Sequence, residues 1–319
     1  MVFLNFRGAS SAAKLQAFLT KALLCGMLLA MGVSIVTGSP DNAMPVFSQV
    51  AGAGGGVAET ESTNLLAGIV SVLVLTPFFY AGFDTIPQQA EEAAEGLNWN
   101  KFGKIITLAL LAAGGFYMVC IYSFGTILPW NEFVAQPVPA LACLKNINMI
   151  LYVAMLVIAT LGPMGPMNSF YGATSRIMLA MGRKGQLPEK FAEVDEKSGA
   201  PKLACVVLGI ITVIGPFLGK NMLIPLTNVS ALAFILSCTM VALACLKMRY
   251  TEPDLPRPYK VPGGKFGILL AILAGAIIIG LLVLPFSPAS LNMVEWSIVL
   301  GWLVVGLILM FATKARAKK

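Results

Sequence analysis

The stretch Leu75–Glu92 reads LTPFFYAGFDTIPQQAEE, and the interpretation of the whole chain starts from it. Pro77, Gly82 and Pro87 fall close together in an otherwise helical, largely apolar run. Each proline removes a backbone donor and disfavours helix in the residue before it, while glycine permits conformations that other residues avoid. At membrane depth, backbone freed in this way persists only where it is buried in protein or lines a wet cavity. The stretch therefore predicts a broken membrane helix at a binding site, with a simple proline kink as the alternative.

The composition of the chain indicates a membrane protein. Of its 319 residues, 57% are hydrophobic and 12% are charged, whereas soluble domains average about half apolar and about a quarter charged. A bilayer core about 30 Å thick needs roughly 20 apolar residues per helix, and long apolar runs argue against a β-barrel. We predict an all-α polytopic membrane protein with about eight transmembrane helices. Their approximate ranges are 17–37, 64–86, 103–128, 148–171, 202–219, 223–246, 266–285 and 293–313.

The distribution of basic residues predicts the orientation of these helices. With the N-terminus in the cytoplasm, only Lys145 and Lys220 among the 22 Lys and Arg residues fall in outer loops, and Lys21 lies within a span. This asymmetry follows the positive-inside rule, so the net charge of +7 is assigned to topology rather than to nucleic-acid binding. We expect both termini in the cytoplasm and residence in the plasma (inner) membrane. A secretory signal is the rival interpretation of the first span, although no clean A-x-A site follows it.

Polar residues in two of the predicted spans are candidates for binding. A carboxylate such as Asp84 is costly in or near hydrocarbon unless it is paired or wetted, so it marks function by default. The alternative is a solvated position at the cytoplasmic interface. A second disruption, Leu161–Ser169, reads LGPMGPMNS. Side-chain oxygens of Thr160, Asn168 and Ser169 are suited to an ion or a substrate, although helix packing by small and polar residues explains the same stretch.

Other ionisable groups in the spans are few. Lys21, about two helical turns past Lys14, either snorkels to the cytoplasmic interface or faces the interior as a cation. The chain contains no His, and its six Cys have no metal or redox spacing. A membrane-embedded enzyme would need a nucleophile with a base, a metal site or paired acids. We therefore predict no catalysis, no metal and no cofactor, and we find no ring-forming filter repeat of the kind a channel uses.

Several segments, beginning with the opening stretch, resemble the amino acid–polyamine–organocation (APC) permeases. FFYAGFD at 78–84, with AEE at 90–92, is similar to the broken sixth helix of that family. The other matching segments keep the family's order and spacing. NFRG at 5–8 with AKLQ at 13–16 is similar to the start of the family's helix five, and SRIMLAMGRKGQLP at 175–188 is similar to the end of its helix eight. APK at 200–202 is similar to the start of its helix nine, and EPDLPRPYKVP at 252–262 is similar to the loop between its helices ten and eleven. The resemblance covers nearly the whole chain.

The resemblance implies roles for individual residues. Phe78 matches an aromatic residue that covers the substrate, Asp84 matches an acidic or polar position below the site, and Met167 falls where some members have an aromatic residue. Lys21 lies on the helix where some members carry a lysine in place of a sodium ion. The implied substrate-binding residues are Phe78, Phe79, Tyr80, Ala81, Gly82, Asp84 and Met167. The candidates for ion coupling are Lys21, Thr160, Asn168 and Ser169.

A fold and a function also follow from the resemblance. We expect one transmembrane domain over 1–319 with a partial LeuT-like (APC) inverted-repeat fold. It would comprise helix five, the second inverted repeat at about 64–246 and two C-terminal helices at about 266–313. The expected function is secondary active transport of an amino acid or amine across the plasma membrane, coupled to H⁺, Na⁺ or exchange. The expected surroundings are the lipid bilayer, with no nucleic acid.

On this mapping the family's first four helices have no counterpart in the chain. The family's helix one carries a Gly-rich break that faces the break in helix six, so this chain would contribute half of the substrate site. We therefore expect the missing N-terminal helices, or a second copy of the chain, as partners. The alternative is a non-transporting membrane fragment or a subunit of a split or decayed permease.

Overall fold

A computed structural model of the chain describes residues 9–43, 65–88, 98–136, 138–195 and 199–317, and these form an all-helical structure without strands. The motifs at 5–8 and 90–92 lie outside the described residues. The α-helices in these ranges are α1 (Ala9–Thr37), α2 (Leu65–Tyr80), α3 (Thr85–Gln88), α4 (Trp99–Gly125), α5 (Trp130–Ala135), α6 (Pro139–Ile147), α7 (Met149–Leu161), α8 (Met164–Arg183), α9 (Lys202–Ile214), α10 (Leu223–Thr251), α11 (Gly264–Val283) and α12 (Met293–Ala317).

Seven helical segments in the described ranges are long and apolar enough to cross a membrane. They confirm the prediction of an all-α polytopic membrane protein. Their ranges are Gln16–Thr37, Leu66–Gln88, Trp99–Gly125, Met149–Arg183, Leu223–Thr251, Gly264–Val283 and Met293–Phe311. The fourth continues beyond its predicted end at residue 171, because α8 stays helical through a more polar stretch as far as Arg183.

The predicted span at 202–219 is a shorter apolar helical segment, Lys202–Leu218. Its α-helix ends at Ile214, and the 3-10 segment Gly215–Leu218 follows. Pro216 explains the change, because it has no N–H to donate and disfavours α-helix in the residue before it. The 13-residue α-helix rises about 20 Å and the four 3-10 residues add about 8 Å. Together they come close to the thickness of a hydrocarbon core.

The helices pack in two groups. In the first, α1 contacts α4, α7 and α8, and its buried core includes Met31 and Phe124. In the second, α10 contacts α2, α11 and α12 around Leu75, Leu232 and Leu282. The short helix α3 contacts α8 and thereby joins the second group to the first. The break between α2 and α3 therefore lies where the two groups meet.

Apolar side chains cover the outer faces as well as the cores. Helix α4, for example, contains long runs of apolar residues. Its Met118 and Ile121 side chains are nevertheless largely exposed. A soluble protein rarely leaves such extended apolar faces open to water. These faces therefore suit contact with lipid acyl chains or with other membrane helices.

Candidate functional site

The helix that carries the opening stretch is broken, as predicted. Helix α2 contains Pro77 and ends at Tyr80, a turn occupies 81–84, and α3 begins at Thr85. Within the turn Gly82 has a φ of 131°, a backbone conformation that residues with a Cβ rarely adopt. Glycine at this position therefore allows the chain to leave the helix, and the prolines on either side discourage its continuation.

The break leaves several peptide groups without a partner in the described part of the chain. Among the described residues, no hydrogen bond reaches the carbonyl groups of Tyr80 and Ala81, and none is made by the N–H groups of Phe83 and Asp84. The Gly82 carbonyl, in contrast, accepts from the N–H and the hydroxyl of Thr85. Unpaired peptide groups within a membrane span are expensive unless a ligand, water or protein satisfies them. The turn therefore offers both acceptors and donors to a polar ligand.

Asp84 holds this turn in place. One carboxylate oxygen accepts from the Gly82 N–H at 2.9 Å, and the other accepts from the Gln88 side-chain amide at 2.9 Å. These two bonds tie the turn to α3. The same side chain lines a cavity of about 570 Å³ between the break, α10 and α11, whose walls include Phe83, Phe234, Cys238 and Ile268.

Tyr117 of α4 supports the break from the other side. Its hydroxyl donates to the Phe79 carbonyl at 2.9 Å, which satisfies one acceptor near the end of α2. The rings of Tyr117 and Tyr80 meet edge to face with centroids 6.1 Å apart. Phe78 and Phe79 are each 40% exposed, so the described chain leaves these aromatic faces partly uncovered. Sequence reasoning missed Tyr117, because only the fold brings α4 beside the break.

The second disruption also breaks its helix. Helix α7 ends at Leu161, Gly162 and Pro163 form a turn, and α8 begins at Met164. The first turns of α8 lie beside the break after α2, because a Cβ built on Gly82 would be 4.0 Å from Cζ of Phe170. The structure thus places the break after α2 beside α8, whereas the turn at Gly162 faces Leu23 of α1. Met167, in the first turn of α8, is 42% exposed.

Asn168 and Ser169 lie together at the contact between α8 and α1. Gln16 of α1 donates from its amide to the Ser169 hydroxyl, and its carbonyl accepts from the Asn168 amide at 3.4 Å. Gln16 is thus a polar partner that was not predicted as a site residue. The position of a glutamine at the start of an apolar run is the sequence signal that could have indicated it. The two side chains therefore belong to a neutral polar junction between helices.

Lys21 and Thr160, the other two candidates for ion coupling, lie elsewhere. Lys21 is exposed on α1, and it forms no ion pair with any described residue. The Thr160 hydroxyl donates to the Leu156 carbonyl of its own helix at 2.8 Å. Neither side chain joins the junction made by Gln16. Within the described ranges, no group of three or more His, Cys, Asp or Glu side chains is arranged to hold a metal ion.

Comparison with known proteins defines the class to which this fold and site belong. The profile of the family described as amino acid permease matches residues 1–310. The chain therefore belongs to the amino acid permease family, whose members are transporters rather than enzymes. The resemblance stated from the sequence motifs is confirmed.

Individual relatives show the range of the family. The branched-chain amino acid permease BcaP of Bacillus subtilis (strain 168) is 26% identical over 255 residues, which cover 79% of this chain and 52% of the relative. The cystine/glutamate transporter of Homo sapiens is 26% identical over 266 residues, covering 82% and 50%. The aspartate-proton symporter of Bacillus subtilis (strain 168) is 30% identical over 164 residues, covering 50% and 28%. The chain spans about half the length of the first two relatives.

Proposed function

We propose that this chain takes part in secondary active transport of amino acids across a membrane, and that the turn at 81–84 binds the substrate's charged groups. The observation that carries the proposal is a set of peptide groups that pair with no described residue, inside a membrane span and beside α8. They are the carbonyl groups of Tyr80 and Ala81 and the N–H groups of Phe83 and Asp84. The names of the relatives support amino acids as the substrate class, since all three name an amino acid or a class of amino acids.

The polarity of the break suits a zwitterion. The carbonyl groups of Tyr80 and Ala81 lie at the C-terminal end of α2, where the helix dipole is negative, and they attract an ammonium group. The N–H groups of Phe83 and Asp84 lie on the far side of the turn and can donate to a carboxylate. Hydrogen bonds to a charged partner are worth about 1.5–3 kcal/mol each. A few such bonds in a water-poor site are enough for selective binding.

The remaining parts of the site are proposed on the family resemblance. Phe78 would cover the substrate, Met167 would line it from α8, and Phe79 with Tyr80 would shape the turn. Lys21, Thr160, Asn168 and Ser169 are retained as the candidates for coupling to H⁺ or Na⁺. The helices at about 64–246 would form the second inverted repeat of one transmembrane domain, whose rocking around the site would give alternating access.

The proposed orientation places both termini in the cytoplasm and the protein in the plasma (inner) membrane. It is supported by the 22 Lys and Arg residues, of which two fall in outer loops and one lies in a span. The test is the accessibility of a C-terminal affinity tag in intact and permeabilised cells. Protease removal of the tag only after permeabilisation is the expected result. Removal from the outside of intact cells would contradict the orientation.

The transport proposal is tested by uptake of radiolabelled amino acids into proteoliposomes. The 319-residue chain is compared with Gly82→Ala, which perturbs the turn, and Gly115→Ala, a change in α4 with open space around it. A longer product from the upstream coding sequence, where one can be expressed, is assayed in parallel. Uptake lost in Gly82→Ala and kept in Gly115→Ala supports the proposal.

Two other results have distinct meanings. Amino-acid binding by the purified chain without uptake, in every form tested, favours the alternative of a non-transporting subunit. Neither binding nor uptake of any amino acid or amine contradicts the proposed function. If Gly115→Ala loses activity to the same extent as Gly82→Ala, the turn at 81–84 has no special part in binding.

A further inference from the structure

A second open cleft lies away from the break between α2 and α3. It has a volume of about 640 Å³ and lies between the start of α4 and the loop that joins α10 to α11. We call it the α4 cleft. Its walls include Lys104, Thr107, Leu108 and Leu111 from α4, with Tyr259 and Lys260 from the loop. Because α4, α10 and α11 are all membrane spans, a cleft at the start of one and in the loop between the others lies at headgroup level.

The α4 side of the cleft changes from charged to apolar along one helix face. Lys104, Thr107, Leu108 and Leu111 follow the spacing that places side chains on one side of a helix. The seven steps from Lys104 to Leu111 correspond to a rise of about 10 Å. Leu108 and Leu111 are 67% and 71% exposed. A cation at the membrane surface is thus followed by an apolar surface that runs into the hydrocarbon.

The loop side of the cleft is held in place. The Tyr259 and Thr107 hydroxyl oxygens are 3.2 Å apart and hydrogen bonded. The Tyr259 ring packs so closely on α4 that a Cβ on Gly103 would be 2.6 Å from it. Within the loop, Arg257 donates to four carbonyl groups, including that of Met248 in α10. The fold therefore sets the position of the loop that carries Lys260, which lines the same cleft as Lys104.

The charges of the cleft define its ligand. Lys104 and Lys260 form no ion pair with any described residue, and no described carboxylate lines the cleft. Two cations without counter-charges among the described residues attract an anion. The Thr107 hydroxyl donates to the Gly103 carbonyl and accepts from Tyr259, so the two lysines supply the donors for that anion. Basic pockets at the membrane surface bind anionic phospholipid headgroups in this way. A soluble phosphate would satisfy the lysines but would leave Leu108 and Leu111 without a partner.

We propose that the α4 cleft binds an anionic phospholipid, with its phosphate between Lys104 and Lys260 and an acyl chain along Leu108 and Leu111. This site is separate from the proposed amino-acid site and does not depend on it. Trp99, at the start of α4 and 45% exposed, is consistent with a position at the membrane interface, where Trp is enriched.

The test measures binding of fluorescent phosphatidylglycerol to the purified full chain in detergent. Unlabelled phosphatidylglycerol, phosphatidylcholine and inorganic phosphate serve as competitors. The variants are Lys104→Gln/Lys260→Gln and, as a control for lost charge on the same side of the membrane, Lys247→Gln. Because one lysine near an anionic lipid contributes about five-fold in affinity, we expect the double variant to bind about 30-fold more weakly. Lys247→Gln is expected to bind within about two-fold of the unmodified chain.

A second pair of variants tests the geometry without changing the charge. Gly103→Ala places a methyl group against the Tyr259 ring, so the loop must move, and we expect weaker binding. Gly115→Ala, in the same helix with open space around it, should have no effect. Equal losses from Lys247→Gln and the double variant would overturn the proposal, as would an unchanged affinity in the double variant. Competition by inorganic phosphate as strong as that by phosphatidylglycerol would also overturn it, because the site would then be a simple anion site.

Discussion

Gly82→Ala is the substitution that most directly probes the broken helix. Gly82 has a φ of 131°, and the turn it forms separates α2 from α3. Alanine has a Cβ, so it is strained in this conformation and favours a helical or extended backbone instead. Any such change moves the unpaired peptide groups of Tyr80 and Ala81, and it also alters the hydrogen bond from the Gly82 N–H to Asp84.

The magnitude follows from two structural facts. The added methyl group meets no tight contact, since the Phe170 Cζ would be 4.0 Å away. The cost is therefore that of the backbone, about 1–3 kcal/mol for a residue held in a sparsely populated φ/ψ region. Gly115→Ala provides the matched control, because it lies inside α4 with nothing within 4 Å of the new methyl group. In a helix interior that change stabilises by about 0.5–1 kcal/mol.

The assay is equilibrium unfolding of the purified chain in mixed micelles of a mild detergent and sodium dodecyl sulfate. We expect the free energy of unfolding to fall in Gly82→Ala and to stay level or rise in Gly115→Ala. The free energies of unfolding of the two variants should differ by about 1.5–4 kcal/mol. This is the sum of the backbone cost in Gly82→Ala and the helix stabilisation in Gly115→Ala. If Gly82→Ala is as stable as Gly115→Ala and keeps full amino-acid binding, the turn does not need a positive φ, and our account of the break is wrong.

Three further predictions concern groups around this framework. Tyr117→Phe removes the hydrogen bond to the Phe79 carbonyl and should lower the free energy of unfolding by about 0.5–1.5 kcal/mol. The control is Tyr122→Phe on the same helix, which should not lower it, because the Tyr122 hydroxyl bonds to no described residue. Glu295, which is 2% exposed, accepts from the Asn228 amide at 2.6 Å and the Asn292 N–H at 2.7 Å. Glu295→Ala should therefore cost about 1–3 kcal/mol, against under about 0.5 kcal/mol for the exposed Ser297→Ala. Burial raises the pKa of Cys143, in α6 outside the membrane spans, to about 11 from an ordinary value of 9.0. Cys143 is also 0% exposed, so a variant that keeps only Cys143 should react with maleimide at pH 8 at least about 100-fold more slowly than a free thiol of ordinary pKa, and faster as pH rises towards 11.

The local features of the fold were predictable because neighbouring residues encode them. Proline and glycine act on the backbone at their own positions, so the breaks at Gly82 and at Gly162 could be placed from the sequence. Long apolar runs likewise predicted seven of the membrane-spanning segments. The eighth segment, Lys202–Leu218, differs because Pro216 changes its last residues from α-helix to 3-10 helix.

The partners of the breaks could not be predicted, because they come from distant parts of the chain. Tyr117 reaches Phe79 across 38 positions, and Gln16 reaches Ser169 across 153. The sequence around a hydroxyl or an amide on an apolar helix does not indicate which residue is its hydrogen-bond partner. The local pattern of Tyr117 or Gln16 would be the same if the side chain faced a different helix. The roles of Lys21, Thr160, Asn168 and Ser169 in ion coupling remain predictions for the same reason, since each depends on what lies opposite.

The surroundings of Asp84 allow a more specific conclusion about the site. Both of its oxygens accept hydrogen bonds from within the same broken segment, one from the Gly82 N–H and one from Gln88. A substrate ammonium that bound this carboxylate directly would have to share oxygens that already accept these bonds. The carbonyl groups of Tyr80 and Ala81 have no such competition within the described chain. The acid is therefore better suited to shaping the turn, and the peptide groups that it helps to expose are better suited to the substrate binding that we propose.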